Sequence, residues 1–235
     1  MNKTTIQTVT QLAFMPRVFP VNCYLVEEDQ ELTLIDAAMP FSAKGIVEAA
    51  KSLHKPITRI VLTHAHSDHV GAIDTLKEML PEAVVYISER DSRLLKMDRS
   101  LDAHEEQLPI KGGLNPIKTV PDVLLHDGDQ IGSLLAVSTP GHTPGSFSYY
   151  DTRTGALLAG DAFQVRGGVA VTGHFRPLFP FPAMATWSKQ QSLQSAEKLL
   201  ELKPTLLGVG HGRLIEKPEQ VMQRAINAAA RAIMK

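Results

Sequence analysis

The chain has 235 residues, 43% hydrophobic and 21% charged, proportions that let a core form and exclude an intrinsically disordered chain. Its 24 basic and 25 acidic side chains leave a formal net charge of -1. The scattered Lys and Arg exclude the clustered positive footprint that nucleic acid or an anionic membrane requires.

Cys23 is the only cysteine, so no internal disulfide can form. In the apolar run VNCYLV it reads as a small buried hydrophobe in a reducing compartment. The opening MNKTTIQTVTQLAF lacks an apolar stretch of signal-peptide length, and no window reaches a membrane span. The expectation is a soluble, cytoplasmic protein folded as one domain over residues 1–235.

TIQTVTQLAF alternates polar and apolar residues as a strand does, and VNCYLVEED and ELTLIDAAM are further strands. Ser42 is placed to cap a helix over 43–53, which His54-Lys55-Pro56 ends. Residues 57–62 form a continuous apolar strand. A histidine-rich loop follows, then a helix over 70–80 stopped by Pro81. AVVYIS is a strand, and 89–97 a helix. Residues 99–121 are irregular and carry Pro109, Gly112, Gly113, Pro116 and Pro121. So long a segment without structure of its own is often functional.

The stretch from VLLHDGD to ALLAGDAF contains short strands, with turns at Asp127-Gly128 and Thr154-Gly155. A second irregular segment, 164–182, is rich in Phe, Pro and Gly. A helix over about 184–202, the strand TLLGVG and a helix over about 217–232 close the chain. Helices and strands in this order predict an α/β (α+β) protein, a four-layer αββα sandwich.

The strongest chemical signal is THAHSDHVGA, where His64, His66, Asp68 and His69 follow an apolar strand. Neutral imidazoles and carboxylates are good ligands for zinc and similar dications. Residues two apart in extended chain point the same way, so His64 and His66 can converge on one ion, while Asp68 and His69 face another position. STPGHTPGS, ALLAGDAF and LLGVGHGR place His142, Asp161 and His211 on glycine-flanked loops at the ends of apolar runs. Backbone there can fold close to an ion. Alone, each of these three would pass for a satisfied loop residue.

HAHSDH, PGHTPGS, AGD and GHG together resemble the motifs of the metallo-β-lactamase superfamily, from Asp36 in LIDA to His211. The resemblance implies an αββα fold with the site at one edge between the sheets. It implies His64, His66 and His142 on one ion, Asp68, His69 and His211 on the other, and Asp161 bridging. Asp36 resembles the family's acid that orients ligand imidazoles by hydrogen bonding; a turn or cap role is the plainer alternative.

The implied cofactors are two divalent metal ions, zinc first and iron or manganese also compatible. A hydroxide shared between them would attack an ester, thioester or lactone-type carbonyl of a small molecule, with Asp68 as catalytic proton relay. Zinc β-lactamases carry a cysteine where this chain has Asp161, or lack the bridging acid. Glyoxalase II adds a C-terminal glutathione-binding extension for which few residues remain here. Quorum-signal lactonases carry a tyrosine at the position of Gln164, and ribonuclease Z adds an RNA-binding arm.

The substrate pocket is expected from 99–121 and 163–183. Phe163, Phe175, Phe179 and Phe181 would be its apolar part, and Arg166, His174 and Arg176 its polar features, with a cation for a carboxylate or phosphate. The alternative makes the aromatics core and the arginines solvated. Three rivals to the hydrolase remain: a mononuclear iron persulfide dioxygenase, a di-iron redox partner and a non-catalytic metal-binding domain.

Overall fold

The computed structural model describes residues 1–234. A seven-stranded sheet runs in spatial order β1 (Asn2–Ile6), β2 (Val9–Phe14), β3 (Val21–Glu27), β4 (Leu32–Ile35), β5 (Ile57–Val61), β6 (Val84–Ser88) and β7 (Val123–Leu125). The first four strands pair as antiparallel neighbours, and β4 through β7 are parallel. Parallel neighbours need crossovers. These are supplied by α1 (Ala43–Ser52), α2 (Ser67–Val70), α3 (Ile73–Met79) and α4 (Glu89–Leu95).

The second sheet is built from β8 (Gln130–Ile131), β9 (Leu134–Ser138), β10 (Phe147–Asp151), β11 (Ala156–Leu158), β14 (Leu206–Gly208) and β15 (Ile215–Glu216), in spatial order β15-β14-β11-β10-β9-β8. β12 (Phe163–Gln164) and β13 (Ala170–Val171) form a separate small hairpin. α5 (Phe181–Ala185), α6 (Lys189–Glu201) and α7 (Glu219–Ile233) complete the chain. Among the described residues no helix is long and apolar enough to cross a membrane.

Period-two alternation makes the layers. In β3, Cys23 and Leu25 face α1, α3 and α4, while Tyr24 and Val26 face the other sheet. In β11, Ala156 and Leu158 meet the first sheet, while Leu157 packs with Leu193, Leu199 and Met222 of α6 and α7. Each sheet therefore buries both faces. Three apolar cores separated by two sheets make the four-layer αββα sandwich expected from the sequence. Tyr149 crosses between the sheets and donates to the Leu62 carbonyl at 2.7 Å, next to the histidine loop.

Three local expectations need correction. Ser42 forms no cap bond: it ends a 3-10 turn, Pro40–Ser42, and its hydroxyl is buried without a partner. The helix expected over 70–80 is two pieces. It begins at Ser67, and Gly71 separates α2 from α3, packed so closely on Ala38 and Pro40 that a Cβ would approach the Ala38 carbonyl to 2.8 Å. The helix expected over 184–202 is broken at 186–188. There the Trp187 and Ser188 amides donate to the carbonyls of His142 and Gly141, and Ser188 restarts the helix by accepting from the Gln191 amide. Tertiary hydrogen bonds outweigh helical propensity at this point.

Tyr149→Phe should leave the Leu62 carbonyl short of its cross-sheet donor, costing about 1–3 kcal/mol. A lower urea midpoint at unchanged slope would agree with this; an unchanged midpoint would show that the bond does not staple the sheets.

Candidate metal centre

All seven residues of the motif set meet at one end of the sandwich, on loops that leave strand ends. His64 Nε2 lies 3.1 Å from His66 Nδ1, which lies 2.9 Å from His142 Nε2. Ligand atoms of Asp68, His69 and His211 lie within 4.8 Å of one another, as do those of His64, His69 and Asp161. The Asp161 carboxylate stands between the sets. Its Oδ2 is 3.3 Å from His142 Nε2 and 3.2 Å from His211 Nε2, and its Oδ1 is 3.5 Å from His69 Nε2. Asp68 Oδ2 is 3.5 Å from His211 Nε2.

The outward nitrogen of every ring is engaged, which decides what the inward one offers. His66 Nε2 donates to the Lys111 carbonyl at 2.9 Å, and His211 Nδ1 to the Pro20 carbonyl at 2.7 Å. His69 Nδ1 donates to Asp36 Oδ2 at 2.7 Å. Thr63 spends its hydroxyl proton on Asp36, at 2.8 Å to Oδ2, so its oxygen accepts from His64 Nδ1 at 3.0 Å. Thr186 donates to the Pro182 carbonyl at 2.6 Å, which lets Thr172 donate to Thr186 and accept from His142 Nδ1 at 3.1 Å. In their neutral forms all five rings thus turn a lone pair toward the shared interior.

Burial pushes His64, His66 and His142 below the ordinary imidazole range, leaving them neutral and ready to ligate. At His69 and His211 burial works the same way but is outweighed by the Asp161 carboxylate, aided by Asp36 at His69 and Asp68 at His211, so both are raised. Asp161 is held well below the usual carboxylate range: burial opposes this, and His211 and His69 overcome it.

The donor set fits metal ions. His69 Nε2 and Asp161 Oδ1 are buried without a hydrogen-bond partner, a cost that a cation between them removes. Backbone also closes in as a cradle would. A Cβ on Gly210 would lie 2.1 Å from Asp161 Oδ1, and one on Gly112, whose φ is +88°, 2.1 Å from His66 Nε2.

Asp36, in a left-handed conformation (φ +62°), holds both Thr63 and His69, the geometry expected of an acid behind metal ligands. A second such acid escaped the sequence reading. Asp91 is fully buried and accepts from the Ala65 amide (2.9 Å), the Thr143 hydroxyl (2.8 Å) and the Gly145 amide (2.9 Å). It ties the loop of His64 and His66 to the loop of His142. Its spacing after Ser88, whose side chain caps α4, looks like an ordinary helix start, and no local pattern announces its other role.

The cleft over the centre holds about 490 Å³ and is lined by Phe19, Met39, Pro40, Gly112, Gly113, Asn115, Phe181, Pro182 and Met184 beside the metal-type residues. Segment 99–121 thus contributes its glycines and Asn115. Most of the pocket residues expected from 163–183 lie elsewhere. Phe163 is buried in the core beneath α6 and α7 because the β12–β13 hairpin turns it inward. Arg166 lines a separate cavity with Gln11 and Arg213 and donates to the Arg17 carbonyl. His174 and Phe175 line another, against Ala229 and Ile233 of α7. Arg176 donates to the Val169 carbonyl at 2.6 Å. Phe179 is buried behind the cleft, its ring 5.3 Å from that of His211. Phe19 and Met39 lie on N-terminal turns with no chemical signature, and only the fold brings them to the cleft.

The sequence profile of the metallo-β-lactamase superfamily matches residues 16–211. The uncharacterized protein YobT of Bacillus subtilis is 56% identical over 230 residues, covering 97% of this chain and 99% of its own length. The probable metallo-hydrolase YflN of the same organism is 31% identical over 212 residues, covering 81% and 80%. Among solved structures, TTHA1623 in a di-iron-bound form is 26% identical and superposes with a TM-score of 0.64, covering 89% of this chain and 96% of its own. With these motifs gathered on this fold, the chain belongs to the metallo-β-lactamase superfamily.

Proposed function

We propose that this protein is a hydrolase that holds two divalent ions, zinc by preference, and cleaves an ester, thioester or lactone-type carbonyl of a small molecule. The observation that carries this reading is Asp161, a buried carboxylate within 3.5 Å of ligand nitrogens from both clusters. An acid in that position favours a pair of ions over one. His64, His66 and His142 would hold the first, Asp68, His69 and His211 the second. When bound, the ions supply acidity to a shared water and Lewis-acid polarisation of a carbonyl.

The chain's own residues supply the rest. Asp68 is the ligand with a free aspect: its side chain is 24% exposed, against 4% for Asp161. It lines the cleft, where its carboxylate can take a proton from the attacking water and pass it to the leaving group. Asp161, enclosed, keeps the spacing. Asp36, Thr63, Thr172, Lys111 and Pro20 hold the rings in one tautomer, so little reorganisation remains at the moment of reaction. The name of TTHA1623 records a di-iron form, which keeps iron a candidate metal and makes metal identity the first thing to measure.

Protein purified without added metal should carry two ions per chain by elemental analysis. Asp161→Ala should retain the fold by circular dichroism, lose at least one ion and lose most activity against a panel of aryl esters, thioesters and lactones. Two tightly held ions in Asp161→Ala would contradict the bridging role. One iron per chain with oxygen uptake on persulfides would favour the dioxygenase instead.

Asp91 is a positioning residue in this scheme. Three donors point at the Asp91 carboxylate, so the Asp91→Asn amide faces at least one of them in either orientation and should weaken the first ion about 10–100-fold in chelator competition. The second ion should be affected less. If only the melting temperature fell and both affinities stayed, Asp91 would be merely structural.

A further inference from the structure

We propose that the substrate is an electrically neutral ester or thioester with an apolar acyl group, selected by the cleft wall of Phe19, Phe181, Met39 and Met184. The proposal rests on the hydrolase reading above.

One wall of the cleft is aromatic up to the metal centre itself. Phe19, Phe179 and Phe181 form a triangle with ring centroids 5.1–5.3 Å apart. Phe19 and Phe179 pack on the His211 ring at 5.2 and 5.3 Å. A group attached to a carbonyl at the centre therefore meets aromatic carbon at once. The lip continues this character, with Phe181 52% and Met184 66% exposed, an arrangement that water alone does not favour.

Among the described residues no Lys or Arg lines the cleft. The cations of the neighbouring segment are directed to main-chain carbonyls, Arg166 to Arg17 and Arg176 to Val169. A carboxylate on the substrate's tail would be stripped of water against these walls with no partner to offset the loss. Apart from the metal-type residues, the cleft's polar side chains are neutral: Ser67 and the Asn115 amide, the latter able to donate to a carbonyl oxygen. A cavity of about 490 Å³ is of ordinary size for a small-molecule ligand.

The reaction is balanced by water alone. Its oxygen forms the new bond to the acyl carbon, the C–O or C–S bond breaks, one water proton leaves with the alcohol or thiol, and the other is lost to solvent as the acid becomes a carboxylate.

The test compares two hydroxamates on the zinc-loaded protein by calorimetry: octanohydroxamic acid and its chain-matched relative ending in a carboxylate, suberomonohydroxamic acid. The metal-binding heads are identical, so only the tail is read. The neutral compound should bind tighter on the order of tenfold or more, with affinity rising about threefold per methylene from butano- to octanohydroxamic acid. Met184→Lys should narrow the gap by favouring the charged tail. Equal binding, a preference for the charged tail or no binding of either compound would overturn the substrate class.

Hydrolysis of 4-nitrophenyl octanoate against 4-nitrophenyl hydrogen suberate separates the two layers of the reading. Comparable turnover of both would overturn the substrate class and leave the hydrolase standing. No turnover of either, with the hydroxamate tails still discriminated, would overturn the hydrolase reading and the substrate proposal with it.

Discussion

A buried carboxylate facing imidazoles on both sides is the constraint from which the other features follow. Asp161 is buried, and one of its oxygens has no hydrogen-bond partner. Such a group is expensive in a protein interior unless positive charge accompanies it. Five inward-turned histidine nitrogens and a second carboxylate share the same small space, and only His69 and His211, both raised by Asp161, can answer its charge with a proton. Dications would answer the difficulty, and the His/Asp groups around Asp161 are placed as ligands for them.

The sandwich makes this possible through its strand ends. β5 delivers the loop of His64 and His66, β9 that of His142, β11 the turn of Asp161 and β14 the loop of His211. Two different sheets must therefore be kept in register at one edge. The cross-sheet bond of Tyr149, the Asp91 clamp between the two histidine loops, and the Gly210 amide bound to the Gly160 carbonyl at 2.9 Å all act there. Rigidity at this edge is bought with buried polar groups, each needing its partner, so single deletions should be felt both in stability and in metal affinity.

Much of this was legible in the sequence, for physical reasons. Period-two alternation in runs such as VNCYLV and ALLAG decides which face of each strand is buried, and both faces being apolar implies layers on either side. His64, His66, Asp68 and His69 are legible because four ligand-type side chains after one strand have no other economical use. His142, Asp161 and His211 needed the family resemblance, because each alone looks like a loop residue. What escaped depends on long-range contact. The break at 186–188 follows from hydrogen bonds to Gly141 and His142, far away in the chain. Asp91 hides inside a helix start. Of the cleft walls, Phe181 and the glycines of 99–121 fall where expected, but Phe163 and Phe175 are chemically identical to Phe19 and Phe181 and differ only in where the fold carries them.

The account stands or falls on a pair of ions joined by Asp161. Anomalous diffraction from crystals of the metal-loaded protein, collected above and below the metal absorption edge, tests it most directly. Two peaks about 3.5–4 Å apart are expected, one among His64, His66 and His142 and the other among Asp68, His69 and His211, with an oxygen of Asp161 touching each. A single peak, or two peaks with Asp161 turned away from one of them, would contradict it.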